Sequence, residues 1–204
     1  MTYATVAQLK EAIGVPSSDT SLDTPLQAVL TSADLMINQY CGVEATGFTV
    51  SGSVVRYYTA PRFDYCLIDN AVTVTQVAID IDGDNTYSQV WAATDWLLAP
   101  RNAAADGKPY YEIDVTPNGT KNFGTNYNGV RVTGTWGYPG GAPAGVVQAA
   151  ILIASQLWAS RTAPFGAIGG GGDMGGTTLR LTRSIHPSAA ALLEGYRRRE
   201  GLAF

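Results

Sequence analysis

The sequence has few of the residues from which most catalytic sites are built. Its 204 residues include one histidine, His186, and two cysteines, Cys41 and Cys66. A single imidazole excludes multi-histidine metal sites and most histidine-based triads, because such sites need a base together with its orienting partner. The cysteines form no CxxC pair, which predicts buried thiols. No P-loop, GxSxG or HExxH motif is present. We therefore expect no enzyme activity and no cofactor.

Long apolar runs and targeting signals are also absent. No eighteen consecutive residues are apolar, so we expect no membrane contact through a spanning helix. The first ten residues, MTYATVAQLK, lack the charged and apolar regions of a signal peptide. These observations predict a protein made in the cytoplasm and used there or in a particle assembled there.

The charge is divided unevenly along the chain. Residues 1–160 contain seven lysines and arginines and fourteen aspartates and glutamates, whereas residues 161–204 contain six and three. An acidic body with a basic tail predicts docking to an acidic surface or to nucleic acid. The alternative is a solvated helix end, in which Arg197, Arg198 and Arg199 complement the helix dipole.

The acidic string Asp80–Asn85 resembles part of a calcium loop, because alternate carboxylates supply the oxygen ligands that calcium prefers. An EF-hand loop needs glycine at its sixth position and glutamate at its twelfth, but Gly83 is fourth here and Trp91 is twelfth. The string therefore predicts a hairpin turn, and cation binding by Asp80, Asp82 and Asp84 is left open. A hydrolase that uses Asp80 and Asp82 is a further alternative, which no spacing supports.

Two capped helices are predicted before residue 43. Thr5–Gln8 and Thr24–Gln27 both have the spacing of a capping box, with Pro25 at the first position of the second helix. Gly14 and Gly42 suit the positions just after the two helices.

From residue 43 to 137 the apolar period is two, which predicts an antiparallel β region. The alternation slips near Gln76, which indicates a β-bulge. The segments predicted as strands are Thr49–Thr59, Val72–Ile81, Tyr87–Trp91, Tyr110–Val115 and Val130–Trp136.

A third helix is predicted from Pro143 to about Ser160, with apolar residues on nearly every side. A helix of that kind is buried on nearly every side. We therefore expect Leu152, Ile153 and Trp158 to contact neighbouring subunits.

The last segment combines a glycine run with a basic helix. Gly169, Gly170, Gly171 and Gly172 are costly to order, so they predict a loop that stays flexible until a partner orders it. Thr178–Arg183 alternates as a short strand or extended arm. Pro187 then begins a helix, with His186 at its entry. We expect this helix to bind a partner, and the residues assigned to that contact are Leu192, Leu193, Tyr196, Arg197, Arg198 and Arg199.

Together these elements predict an α+β fold: a small helical bundle with an inserted antiparallel β region. The bundle comprises two N-terminal helices, one long apolar helix and one C-terminal helix. The predicted helical connector domain spans residues 1–42 and 138–204, and the β region spans residues 43–137. Aromatic side chains in the β region predict core or interface packing. The alternative is a carbohydrate- or host-binding platform formed by Tyr57, Tyr58, Phe63, Tyr65, Trp91, Trp96, Tyr110 and Tyr111.

Several strings, in this order, resemble the head–tail connector (head-completion adaptor) proteins of long-tailed bacteriophages. They are TVAQLKEAIGV, a second helix ending at YCG, VRVTGTWGYP before a long helix, RTAPFG after it, and LLEGYRRR at the end. The likeness covers nearly the whole chain. The glycine run departs from the family pattern, as does His186 where an acidic residue is more usual.

The resemblance implies a structural virion protein, made in the host cytoplasm and located at the head–tail junction. Such adaptors form a homo-oligomeric ring, commonly of twelve copies, beneath the portal protein. The ring extends the DNA channel, through which viral DNA passes without sequence-specific binding. It also presents a surface to the next neck or tail-completion protein.

Overall fold

The computed structural model describes residues 2–43, 47–161, 167–168, 179–180 and 185–197. The chain divides into two compact units. The helix unit comprises Met1–Ala45 and Ala142–Phe204, and the sheet unit comprises Thr46–Gly141. In chain order, the described elements are α1 (Val6–Ile13), α2 (Asp23–Cys41), β1 (Ser53–Tyr58), β2 (Tyr65–Ile79), β3 (Gln89–Val90), β4 (Trp96–Ala99), β5 (Tyr110–Val115), β6 (Val130–Trp136), α3 (Ala144–Ser160), β7 (Ala167–Ile168), β8 (Leu179–Arg180) and α4 (Pro187–Leu193).

The first helix is capped as predicted. The Thr5 side chain accepts a hydrogen bond from the Gln8 backbone N–H at 3.2 Å, and the Gln8 side chain accepts one from the Thr5 N–H at 2.8 Å. Gly14 and Gly42 follow α1 and α2 in the left-handed conformation, with φ of 72° and 64°. Both glycines end their helices because a residue with a Cβ adopts this conformation at a cost.

The start predicted for the second helix is wrong. α2 begins at Asp23 after the cap residue Leu22, whose side chain makes no capping hydrogen bond. Thr24 therefore lies inside the first turn and cannot cap it. Buried Lys10 holds this helix start instead, because its ammonium group pairs with the Asp23 carboxylate and donates to the Asp19 carbonyl at 2.6 Å.

The predicted fold class, a small helical bundle with an inserted β region, is wrong. The described residues form four α-helices and a six-stranded antiparallel sheet, and no long apolar helix is among them. α3 has 17 residues and buries one face, formed by Val146, Ala149, Ala150, Ile153 and Ala154. Several of its apolar positions are alanines, which satisfy a periodic pattern but carry little apolar surface to bury.

The sheet has the strand order β1-β6-β2-β5-β4, and β3 pairs with the end of β2. All pairings are antiparallel. The register between β2 and β6 shifts between Val74 and Gln76, which confirms the predicted bulge. β5 and β6 have the predicted bounds, whereas the sequence pattern missed β4. The bounds of three other strands differ from those predicted. β1 and β3 are shorter at both ends, whereas β2 is longer and begins at Tyr65.

One face of the sheet forms the core of the sheet unit, and the opposite face is here called the outer face. The core face contains, among other residues, Cys66, Ile68, Ala71, Val77, Ile79, Trp91, Ile113, Phe123, Val130, Val132 and Trp136. Along β6, buried residues alternate with half-buried ones, so Arg131, Thr133 and Thr135 lie on the outer face. This alternation is what a half-solvated antiparallel sheet requires.

A charged pair lies on the core side of β1. Arg56 Nη1 donates to Asp69 Oδ2 at 2.7 Å, and both side chains are largely buried. The hydroxyl of Tyr58 donates to the same carboxylate oxygen at 3.0 Å. The Arg56 guanidinium lies 4.7 Å from the ring centre of Trp136, whose indole N–H donates to the Val54 carbonyl at 3.0 Å. These contacts tie β1 to the middle of the sheet.

Candidate partner-binding surfaces

The C-terminal helix turns one side into its own unit and the other side to solvent. His186 lies at its entry, as predicted, and His186 Nδ1 accepts a hydrogen bond from the Ser188 N–H at 3.2 Å. Leu193 is fully buried, whereas Leu192 is 37% exposed. α4 packs against α3. Leu193 therefore anchors the helix, and Leu192 is available to a partner.

A polar contact joins the end of this helix to α2. The Tyr40 hydroxyl donates to Glu194 Oε2 at 3.2 Å, and Arg197 lies 3.5 Å from Glu194 Oε1. The Arg197 guanidinium also lies 5.2 Å from the ring centre of Tyr40. Burial raises the pKa of the Cys41 thiol next to this contact to about 11. Sequence reasoning missed the contact because Tyr40 and Glu194 are far apart in the chain.

The remaining residues of the predicted partner surface differ in their placement. Tyr196 is half-buried, and a Cβ on Gly145 would lie 3.4 Å from its ring. Arg198, Arg199 and the predicted flexible loop Gly169–Gly172 lie outside the described residues.

The residues predicted for subunit contacts lie along α3. Ile153 is 1% exposed and faces the interior of the helix unit. Leu152 and Trp158 are half-buried, and the Arg161 guanidinium lies 4.7 Å from the ring centre of Trp158. Two of the three residues therefore retain apolar surface that a neighbouring molecule could cover.

The acidic string after β2 forms a turn. Asp80 is buried, and its two carboxylate oxygens accept hydrogen bonds from the backbone N–H groups of Gly83, at 2.8 Å, and Asn85, at 2.9 Å. Asp82 and Asp84 are exposed. The predicted turn is confirmed. Among the described residues, no three histidine, cysteine, aspartate or glutamate side chains are grouped closely enough to hold a metal ion.

The aromatic residues of the sheet unit are divided between its core and its surface. Trp91 is buried against Phe123, with ring centres 4.7 Å apart, and Tyr58 packs near Trp136 at 5.9 Å. Tyr57, Phe63 and Tyr111 are exposed. Tyr65, Trp96 and Tyr110 are half-buried. The exposed rings belong to β1, to the β1–β2 loop and to β5, so they do not follow one another along a single strand.

A group of carboxylates lies on the outer face near β4. Glu112 and Asp114 are two residues apart on β5, and Asp64 lies close to them. Partial burial raises the pKa of Glu112 to about 7, and a hydrogen bond with Asp114 and the charges of Asp114 and Asp64 act in the same direction. Like charges are therefore crowded at this end of the sheet.

This carboxylate group predicts a pH-dependent stability. The folded sheet unit holds the Glu112 proton more tightly than an unfolded chain, in which the pKa is 4.5. The contribution of Glu112 is therefore most favourable below pH 4.5 and is lost as the pH rises to about 7. We therefore expect the melting temperature to fall as the pH rises from 4.5 to about 7, and we expect a smaller fall in the Glu112→Gln variant. Glu11→Gln on α1 is the control, and an unchanged slope in Glu112→Gln would contradict the assignment.

Comparison with known proteins identifies structural relatives only. No family model matches the chain, and no curated protein matches its sequence. A chain from the neck of an empty gene transfer agent (GTA) particle, computed with C6 symmetry, is 19% identical with a TM-score of 0.56. A chain from the neck of a native GTA particle, computed with C12 symmetry, is 18% identical with a TM-score of 0.52. Each alignment covers 98% of this chain and 91% of the other.

The TM-scores and coverages show that this chain shares its fold with neck chains of gene transfer agent particles, which are phage-like. None of the described helices has both the length and the hydropathy that crossing a bilayer requires.

Proposed function

We propose that this chain is a structural virion protein, a head–tail adaptor of a phage or phage-like particle. In this role it forms a ring beneath the portal, extends the DNA channel and presents a docking surface to the next neck or tail-completion protein. The observation that carries the proposal is the fold likeness to neck chains over 98% of this sequence. The ordered motifs of the sequence support the same role independently.

The ring is supported by two observations. The particle necks that contain the similar chains were computed with C6 and C12 symmetry, and cyclic assemblies of this kind repeat one contact around an axis. On α3, Leu152 and Trp158 retain apolar surface after the helix unit has folded. We propose that a neighbouring copy covers them and that the ring contains twelve copies.

Portal docking is assigned to the C-terminal helix. Leu193 and the Tyr40–Glu194 contact hold the helix in place, so Leu192 is presented on a fixed support. Leu192 would supply the apolar contact, and the arginines that follow would face acidic groups of the portal. Exposed ion pairs contribute only about 0–1 kcal/mol each, so apolar contacts should dominate the affinity. We propose no catalytic role and no cofactor, and DNA passes through the channel without sequence-specific binding.

A truncation tests this assignment. Deleting Pro187–Phe204 should abolish portal binding, because it removes both Leu192 and the basic residues. Circular dichroism of the truncated chain should still show the folded sheet unit, whose strands all lie between Ser53 and Trp136. Unchanged portal affinity in the truncated chain would place the anchor elsewhere.

Two neighbouring leucines provide a finer test. Leu192→Ala should weaken portal binding in a pull-down and should lower the melting temperature less than Leu193→Ala does, because this side chain is 37% exposed. Leu193→Ala should lower the melting temperature of the helix unit, because this side chain is fully buried. If Leu192→Ala destabilises the protein as much as Leu193→Ala does, Leu192 belongs to the fold and not to the docking surface.

A carbohydrate-binding module is the second candidate, and the exposed rings of Tyr57, Phe63 and Tyr111 favour it. Titration with glycans, followed by tryptophan fluorescence, separates the two functions. An adaptor should give no saturable change.

A further inference from the structure

We propose that the open edge of β1 in one copy of this chain pairs with the open edge of β4 in the next copy. The two outermost strands of the sheet would then join neighbouring subunits around the ring. The inference rests on the proposed function, since it describes a contact within the assembly.

The edge of β1 lacks the features that normally protect an exposed strand. Among the described residues, β1 pairs only with β6, and the six pairings run without a register shift. Val54, Val55 and Tyr57 are 46%, 43% and 51% exposed. Arg56 is the single charged residue of β1, and it pairs with Asp69, so it does not place a charge on the open edge. Native edge strands usually carry a bulge, a proline or an outward charge, so an unprotected edge indicates a strand that is covered in the assembly.

The position of β4 makes it the complementary edge. β1 and β4 end the strand order on opposite sides of the sheet, and the described part of the chain places no further strand beyond either. A closed ring of more than two copies needs two different surfaces on each subunit, so that one copy docks onto the next. Pairing of β1 with β1 of a second copy would use one surface twice and would close the assembly at two.

The charges beside the two edges are complementary. On the outer face next to β1, Tyr57 is paired in register with Arg131, whose guanidinium lies 5.0 Å from the ring centre of Tyr87. On the outer face next to β4, Asp114 is paired with Leu97, and Glu112 is paired with Ala99. Tyrosine and arginine are frequent anchors of protein interfaces.

The neighbouring copy would add positive charge to the sheet face that carries the carboxylates. The charges of Asp114 and Asp64 raise the energy of the charged form of Glu112 in the isolated subunit. Arg62 already pairs with Asp64 at 3.1 Å. In the joined sheet, Arg131 of the next copy would lie on the same face three strand spacings, about 14 Å, from β5, so it would act as a long-range attraction and not as an ion pair. The contact therefore combines backbone pairing along the edges with a charge complementarity that favours β1 against β4.

Cross-linking distinguishes this contact from its alternatives. The variants are Val55→Cys on β1, Leu97→Cys on β4 and the double variant, each treated with a short bismaleimide. The native Cys41 and Cys66 are 1% and 0% exposed, so only the introduced thiols should react. The samples are the free protein at high concentration and the protein bound to portal rings.

We expect a ladder of covalent multimers from the double variant and none from either single variant. Dimers from Val55→Cys alone would overturn the proposal, because they would show β1 paired with β1. The absence of products from the double variant in both samples would overturn it as well. Electron microscopy of the same portal mixture separates this result from the proposed function. Rings on the portal without cross-links would contradict the edge contact but not the adaptor role. Portals without rings would contradict the adaptor role.

Two lysine substitutions give an independent check. Val55→Lys should reduce the yield of rings, because a lysine on the edge opposes strand addition. The matched control is Val90→Lys, since Val90 is 53% exposed on β3, which pairs with β2 and belongs to neither of the two proposed edges. Equal loss in the Val55 and Val90 variants would contradict the contact.

Discussion

Replacing Asp69 with alanine should destabilise the sheet unit by about 3–5 kcal/mol, the cost of removing one partner from a buried ion pair. The Asp69 carboxylate accepts hydrogen bonds from Arg56 and Tyr58, and the two charged side chains are only 16% and 12% exposed. Without it, Arg56 would either stay buried without its counter-charge or leave its position over Trp136 and expose the core.

Chemical denaturation monitored by tryptophan fluorescence measures this loss, because Trp136 lies beside the pair. Asp64→Ala is the matched control. Asp64 pairs with Arg62 at 3.1 Å, but those side chains are 66% and 63% exposed, and exposed pairs contribute only about 0–1 kcal/mol. A loss below about 1 kcal/mol in Asp69→Ala would show that the buried pair contributes no more than a surface pair.

Replacing Gly134 with alanine should cost about 3 kcal/mol or more, the upper part of the range for inserting atoms into packed structure. A Cβ at this position on β6 would lie 2.2 Å from the carbonyl oxygen of Thr73 on β2. Because that oxygen belongs to the backbone, β2 and β6 would have to separate where the sheet register shifts.

Gly52→Ala is the control for this substitution, since no atom lies within 4 Å of the Cβ that it would add. Thermal unfolding should show a large fall in melting temperature for Gly134→Ala and little change for Gly52→Ala. Similar melting temperatures for the two variants would show that β2 and β6 adjust easily, which would contradict the close strand contact.

Local features of the fold could be predicted where neighbouring residues determine them. The Thr5–Gln8 capping box, the bulge near Gln76 and the bounds of β5 and β6 each depend on a few adjacent side chains. β4 could not be predicted, because its four residues, Trp96–Ala99, are too few to display an alternation. The predicted cap at Thr24 failed because Lys10, fourteen residues away, holds the helix start through Asp23.

The larger features depend on contacts that a periodic pattern does not contain. α3 was predicted as a helix buried on nearly all sides, because the pattern gave its alanines the same weight as leucine and isoleucine. The pair Arg56–Asp69 depends on the order of strands in the sheet, in which β1 and β2 are both neighbours of β6. The same order makes β1 an edge, so the sequence could not show that Val54 and Val55 lie on an exposed edge strand.

Electron microscopy of the purified chain mixed with its portal tests the central claim most directly. The adaptor role predicts a closed ring of more than two copies on one end of the portal, with full-length protein and not with the chain that lacks Pro187–Phe204. Bare portals beside free full-length protein, at concentrations where both are folded, would contradict it.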